Sequence, residues 1–220
     1  MVIEQLISPV VPTLLLSDTG SRALFLMEEN NLTQIPLIAE EKYMALVQEN
    51  DVLDWETPES PLSKASFLTY RPAVFANGHP YEALRVAHQQ NLSIVPVVDN
   101  ENTYIGAITR DDLLKYITEY SGVDNPGGII VIELDARDYS LSEIARICES
   151  EDAIVISTQL VTNKVSGKIE VTLKTNRTDL QGLASAFERH NFIVKQVYGE
   201  QAHYEDMLDR YNLLMNYINM

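Results

Sequence analysis

The chain is nearly without cysteine: Cys148 is the only one in 220 residues. No internal disulfide can staple the fold, which suits a reducing compartment, and a cytoplasmic protein is expected. Positive charge is scarce, with 16 Lys and Arg against 32 Asp and Glu and a net charge of -16. That balance argues against DNA or RNA as a direct partner, because binding a polyanion needs a basic surface. There is no uncharged apolar run of ~18 residues, so no bilayer span is expected. The opening MVIEQLISPVVPTLLL carries Glu4 and has neither the basic start nor the small-residue cleavage site of a secretory leader.

Catalytic signatures are missing too. The sequence has no G-x-S-x-G nucleophile turn and no G-x-x-x-x-G-K-[ST] phosphate loop. His79, His88, His190 and His203 form no spaced metal motif with Cys or carboxylates, and no metal site is expected. Cys148, in the helix-like SEIARICES, reads as a buried small apolar residue without an activating partner. An enzyme is therefore not expected.

What is present begins with enough apolar residues, 45% of the chain, for one core or two small ones, since domains commonly run ~100–150 residues. Charge is uneven. Residues 1–60 hold 2 basic and 11 acidic residues, 61–120 hold 5 and 6, and 121–220 hold 9 and 15. The middle segment is the least hostile to an anionic ligand.

An internal repeat explains the first half. Pro12 and Pro72, Ala23-Leu24 and Ala83-Leu84, Asn31-Leu32 and Asn91-Leu92, and Ile35-Pro36-Leu37 and Val95-Pro96-Val97 all stand 60 positions apart. After one inserted residue, MALVQENDVL (44–53) aligns with IGAITRDDLL (105–114). Each copy reads as a short strand, an amphipathic helix, two apolar strands and a closing helix. Two such units of ~60 residues, each with an apolar sheet face, are expected to pack together.

The motif Val95-Pro96-Val97-Val98-Asp99 followed by Gly106-Ala107-Ile108-Thr109-Arg110-Asp111-Asp112 resembles CBS domains, regulatory modules that occur in pairs. The resemblance covers 1–120, with repeat one at 1–60 and repeat two at 61–120. It implies an adenosyl ligand, AMP, ADP, ATP or S-adenosylmethionine, held in a cleft of the pair. By position, Asp112 would accept from the ribose hydroxyls, Thr109 would donate to a phosphate oxygen, and Arg110 would add charge. Adenine would lie against Val95 and Pro96, with Gly106 permitting close approach. Thr109 with Asp112 three residues on is also an ordinary helix cap, and the two roles are compatible. In copy one, Ala45 and Gln48 replace the glycine and threonine while Asp51 remains. The site of Gln48, Asp51 and Pro36 is therefore read as degenerate.

SGVDNPGG (121–128) reads as a linker. Beyond it, apolar strands at 129–134, 153–156, 168–173 and 192–197 alternate with helices marked by Leu141, Ile144, Cys148 and by Leu180, Leu183, Phe187. This βαββαβ order is ferredoxin-like, and with the GGIIVIEL start residues 129–199 resemble an ACT-type domain. The turn Arg137-Asp138-Tyr139-Ser140 lacks the glycine usual in amino-acid-binding members. Residues 200–220 are expected to form a C-terminal amphipathic helix with Met207, Leu208, Tyr211, Leu214, Met215 and Ile218 on one stripe. Trp55 is expected to cover the seam between the repeats.

The expected fold is thus α+β, a CBS-domain pair followed by an ACT-type domain. The expected protein is a homodimeric, non-enzymatic sensor of an adenosyl ligand. The alternatives are an assembly protein without a small-molecule ligand, or an amino-acid sensor acting through the ACT-like half.

Overall fold

The computed structural model describes residues 2–164 and 166–199; the stripe expected over 200–220 lies outside the described residues. The chain divides into two compact units, Met1–Ile117 and Thr118–Met220, and it is a mixed α+β fold. None of the described helices is long and apolar enough to cross a membrane.

In the first unit the repeat is explicit. Copy one runs β1 (Leu14–Leu15), α1 (Gly20–Glu29), β2 (Gln34–Ala39), β3 (Lys42–Gln48) and α2 (Glu49–Leu53). Copy two runs β4 (Val74–Phe75), α3 (Pro80–Gln89), β5 (Ile94–Val98), β6 (Tyr104–Thr109) and α4 (Arg110–Ser121). Each makes a three-stranded sheet, β1-β2-β3 or β4-β5-β6, with the first pair parallel and the second antiparallel. The mid-strand prolines account for the brevity of β1 and β4. Proline has no N–H for a ladder, and the parallel pairing begins one residue later, at Leu37 and at Val97.

The matched asparagines have a backbone role. Asn31 and Asn91 adopt left-handed conformations, φ 52° and 51°, just after α1 and α3. The next residue then donates back to the helix, Leu32 N to Met27 O and Leu92 N to Ala87 O. This left-handed termination satisfies carbonyls that a helix end otherwise leaves bare.

Neither copy closes its core with its own stretch of chain. A short 3-10 turn at Ile3–Leu6 packs on copy two, with Ile3 N donating to Gly78 O and Glu4 N to Ala76 O, both 3.0 Å. The equivalent turn, Leu62–Lys64, packs back on copy one, with Leu62 N donating to Asp18 O (2.7 Å) and Ser63 N to Leu16 O (2.9 Å). Ile3 and Leu62 are fully buried. Trp55 differs from expectation: its ring stands edge-on to Phe67 at 5.6 Å and packs on the core of copy one.

The second unit runs β7 (Ile129–Asp135), α5 (Leu141–Ser150), β8 (Val155–Thr162), β9 (Lys168–Thr175), α6 (Gln181–Arg189) and β10 (Ile193–Tyr198), in one antiparallel sheet ordered β10-β7-β9-β8. Alternate residues of β7 and β9 (Ile130, Ile132, Val171, Leu173) pack on Ile144, Cys148, Leu183 and Phe187. Burial and the neighbouring Glu149 push the Cys148 thiol up to about 11, so it is not a nucleophile at neutral pH. The same left-handed termination ends α5 at Asp152 and α6 at Asn191. Strand β8 starts and ends later than the apolar run 153–156 suggests, because most of it is exposed and carries no buried alternation. The Gly127-Gly128 pair of the expected linker is docked: Gly128 N donates to Arg177 O and Thr175 N to Gly128 O.

Substituting Asn91→Val, which forces a β-branched residue into the left-handed region, is expected to cost about 1–2 kcal/mol. Asn91→Gly keeps the backbone conformation and should cost less, its loss limited to the side-chain bond that holds Arg110. Urea denaturation of the two variants beside the parent chain checks both.

Candidate functional site

The site grows from the junction of β6 and α4. The strand ends at Thr109, and the helix begins at Arg110, whose backbone N–H donates to Ser93 O at 3.1 Å. Thr109 Oγ1 accepts from Asp112 N (3.1 Å), while Asp112 Oδ2 accepts from both the Thr109 N–H (3.1 Å) and its hydroxyl (2.5 Å). This is a reciprocal cap, with two orphan donors of the first turn satisfied by side chains. Among the described residues Asp112 Oδ1 accepts no hydrogen bond. An acceptor-only carboxylate half used in this way keeps capacity for a hydroxyl donor.

Arg110 is fixed along one edge. Its Nε donates to Leu92 O and its Nη2 to Asn91 Oδ1, each at 2.6 Å. Asn91 thus ends α3 and also anchors the guanidinium. The residue lines a polar cleft of about 330 Å³ between the two copies. That cleft has one cation, Arg110, one carboxylate, Glu49, and the carboxamides of Gln34, Gln48, Asn50, Gln90 and Asn91. Gln34 also ties the copies together, its Oε1 accepting from Ser93 N (2.7 Å) and Ser93 Oγ (2.6 Å).

The remaining residues named from the motif sit beneath this surface. Val95 and Pro96 are buried in β5, paired with Ile108 and Ala107. Gly106 does permit a close approach, but the group that approaches is Ile7: a Cβ at 106 would run into Ile7 Cγ2. The structure therefore brings Thr109, Arg110 and Asp112 together at one helix start, where only Arg110 lines the cleft, and places Val95 and Pro96 in the buried strand β5 and Gly106 against Ile7. In copy one, Gln48 precedes α2 without capping it, and its Nε2 donates weakly to Asp51 Oδ2 at 3.3 Å. Pro36 is buried in β2. His79 caps α3 through Nδ1, which accepts from Tyr81 N at 3.2 Å. Sequence reasoning missed Gln34 in β2, Glu49 and Asn50 in α2 and Gln90 at the end of α3, residues distant in sequence that only the packing of the two copies brings to one cleft. Asn91 was visible as a repeated residue but not as a lining one.

The second unit has a cleft of about 240 Å³ near the β7–α5 turn, lined by Glu133, Asp135, Asp138 and Glu143 with Lys168 and His190. Glu133 is held below the usual carboxylate range, chiefly by the Lys168 ammonium bonded to it at 3.0 Å and also by Lys195. Among the described residues no group of His, Cys, Asp or Glu is arranged to hold a metal ion.

Residues 69–119 match the CBS domain family model. Solved structures similar to this chain include a CBS domain pair/ACT domain protein from Thermotoga maritima, at 22% identity and TM-score 0.47 over 54% of this chain and 98% of that one. A putative acetoin utilization protein, AcuB, from Vibrio cholerae is 21% identical with TM-score 0.47, over 54% and 91%. CBSX2 in complex with AMP is 18% identical with TM-score 0.46, over 54% and 96%.

The Gly106→Val chain is expected to lose about 1–3 kcal/mol of stability by overpacking Ile7. Adding Ile7→Ala should recover part of that loss. Chemical denaturation of the single and double variants checks the coupling.

Proposed function

Starting from the CBS domain at residues 69–119, we propose that the chain is a non-enzymatic, cytoplasmic regulatory protein that binds an adenine nucleotide or related adenosyl ligand at Thr109, Arg110 and Asp112. The observation that carries this reading is the arrangement of those three residues at one helix start. A half-used carboxylate stands beside a hydroxyl and an anchored guanidinium that reaches a polar cleft between the copies. Phosphate would take the positive end of α4 with Arg110, and the ribose hydroxyls would take Asp112 Oδ1. The cap geometry suits this, because the side chains are already ordered and binding does not have to order them. Val95, Pro96 and Gly106 act as the support of the site. The degenerate copy-one site of Gln48, Asp51 and Pro36 would be empty or take an uncharged nucleoside, since Glu49 stands where copy two has Arg110.

In this reading the chain is a homodimer, and its second unit is a ferredoxin-like, ACT-type domain that receives the ligand's effect through the chain connecting the units. The ligand acts only through different affinities for two arrangements. The four carboxylates around the second unit's cleft are a poor match to an amino-acid carboxylate, which weakens the amino-acid-sensor alternative. An assembly protein without a ligand is the second reading. It is favoured by one observation: Thr109 and Asp112 already satisfy each other as a cap.

A thermal-shift screen of adenosine, AMP, ADP, ATP, S-adenosylmethionine, guanine nucleotides and amino acids separates these readings. A ligand at 100 times its Kd should add ~2.7 kcal/mol of stability. Only adenine compounds are expected to act. Asp112→Ala should weaken them by about 1.5–3 kcal/mol, with the variant's fold verified by circular dichroism. No shift with any compound favours the assembly reading.

A further inference from the structure

Gln34 turns an unused donor toward the cleft between the two copies. Its Oε1 accepts from both Ser93 N and Ser93 Oγ. A backbone N–H can only donate, so the oxygen and nitrogen of this amide are not interchangeable. Among the described residues the Nε2 group donates to nothing, although Gln34 is only 7% exposed and lines the cleft. Unlike the Tyr104 hydroxyl, the one fully enclosed side-chain polar atom without a partner among the described residues, it is open to the cleft. A donor this deep without a protein partner is costly and calls for an acceptor from elsewhere.

The charges around it are matched. Glu49 N donates to Thr33 O (3.0 Å) as Arg110 N donates to Ser93 O (3.1 Å), so the two residues hold the same position in the two copies with opposite sign. Among the residues lining the cleft they alone are charged. Among the described residues neither forms an ion pair. Arg110 donates to Leu92 O and Asn91 Oδ1 and keeps the rest of its guanidinium free.

We propose that this cleft is a one-phosphate subsite, in which Gln34 Nε2 and Arg110 hold the phosphate of a nucleoside monophosphate and Glu49 turns away di- and triphosphates. A monophosphate brings roughly two negative charges at neutral pH, and the guanidinium with the neutral donor of Gln34 answers them. Each further phosphoryl group would bring charge that no second cation meets, and would set it against Glu49 within one cleft of about 330 Å³. Gln34 belongs to copy one and Arg110 to copy two, so the phosphate would also bridge the copies. The inference rests on the reading of the Thr109–Asp112 junction as an adenosyl site and specifies which class of adenosyl ligand it takes.

Calorimetry on the full chain with adenosine, AMP, ADP and ATP, in magnesium-free buffer, tests it. AMP should bind at least about tenfold more tightly than ATP, with ADP between them. Glu49→Arg, which gives copy one the cation of copy two, should narrow that ratio to within about threefold. Gln34→Glu keeps an oxygen for Ser93 but replaces the free donor with an acceptor, and should weaken AMP at least about tenfold. Adenosine should bind this variant as it binds the parent, which also shows that the variant is folded. ATP binding the parent as tightly as AMP, a preference that Glu49→Arg leaves unchanged, or parent-like AMP binding by Gln34→Glu overturns the inference and leaves the adenosyl reading standing. Failure of every adenine compound to bind overturns that reading, and the inference with it.

Discussion

Each copy in the first unit borrows the segment that closes its core from the stretch of chain leading into the other copy. Ile3 and Leu62 are the residues that do this, each fully buried in the opposite cluster and each held by a backbone bond of the same type. A unit of ~60 residues buries too little of its surface to be comfortably stable alone. Here the deficit is met by exchange, so one copy cannot leave without opening the other. The relation of β3 to β6 depends on this: residues 41–43 pair with 102–104 through Tyr43 N to Asn102 O and Tyr104 N to Glu41 O. The polar cleft lies between the copies, lined by residues of both.

At the junction of β6 and α4 the cap and the proposed ligand site draw on the same side chains. A helix needs its first N–H groups satisfied, and an anionic ligand is attracted to that same end by the same groups. Thr109 and Asp112 answer the first demand with three of their hydrogen-bonding positions and leave Asp112 Oδ1 over. Arg110 would otherwise be a mobile surface cation, but Leu92 O and Asn91 Oδ1 hold it. Since Asn91 is also the left-handed residue that ends α3, helix termination and the placement of the Arg110 guanidinium in copy two share one residue. In copy one Gln48 caps nothing and Glu49 replaces the cation, which gives the pair its electrostatic asymmetry.

The second unit follows a simpler plan. Strict alternation on β7 and β9 buries one face under α5 and α6. The other face has the Lys168–Glu133–Lys195 cluster. The unequal treatment of the two sheet edges stands apart from this pattern, with charge and a bulge on one side and neither device along the exposed half of the other.

The sequence by itself determined the duplication, the order of elements in both units and the location of the Thr109–Asp112 junction. These are legible because they are local: repeat spacing, period-two and period-3.6 apolar patterns, and a cap motif three residues long all lie within short windows. Cys148 was legible as a core residue for the same reason. Only the tertiary structure decided that Gly106 makes room for Ile7, that Trp55 packs on Phe67 and that Gln34 reaches Ser93. It also decided that β8 runs on through exposed residues. Each of these joins residues that are distant in sequence or follows from a neighbour's hydrogen bonds, and the strand pairing that supplies such neighbours leaves no periodic trace in the residues themselves.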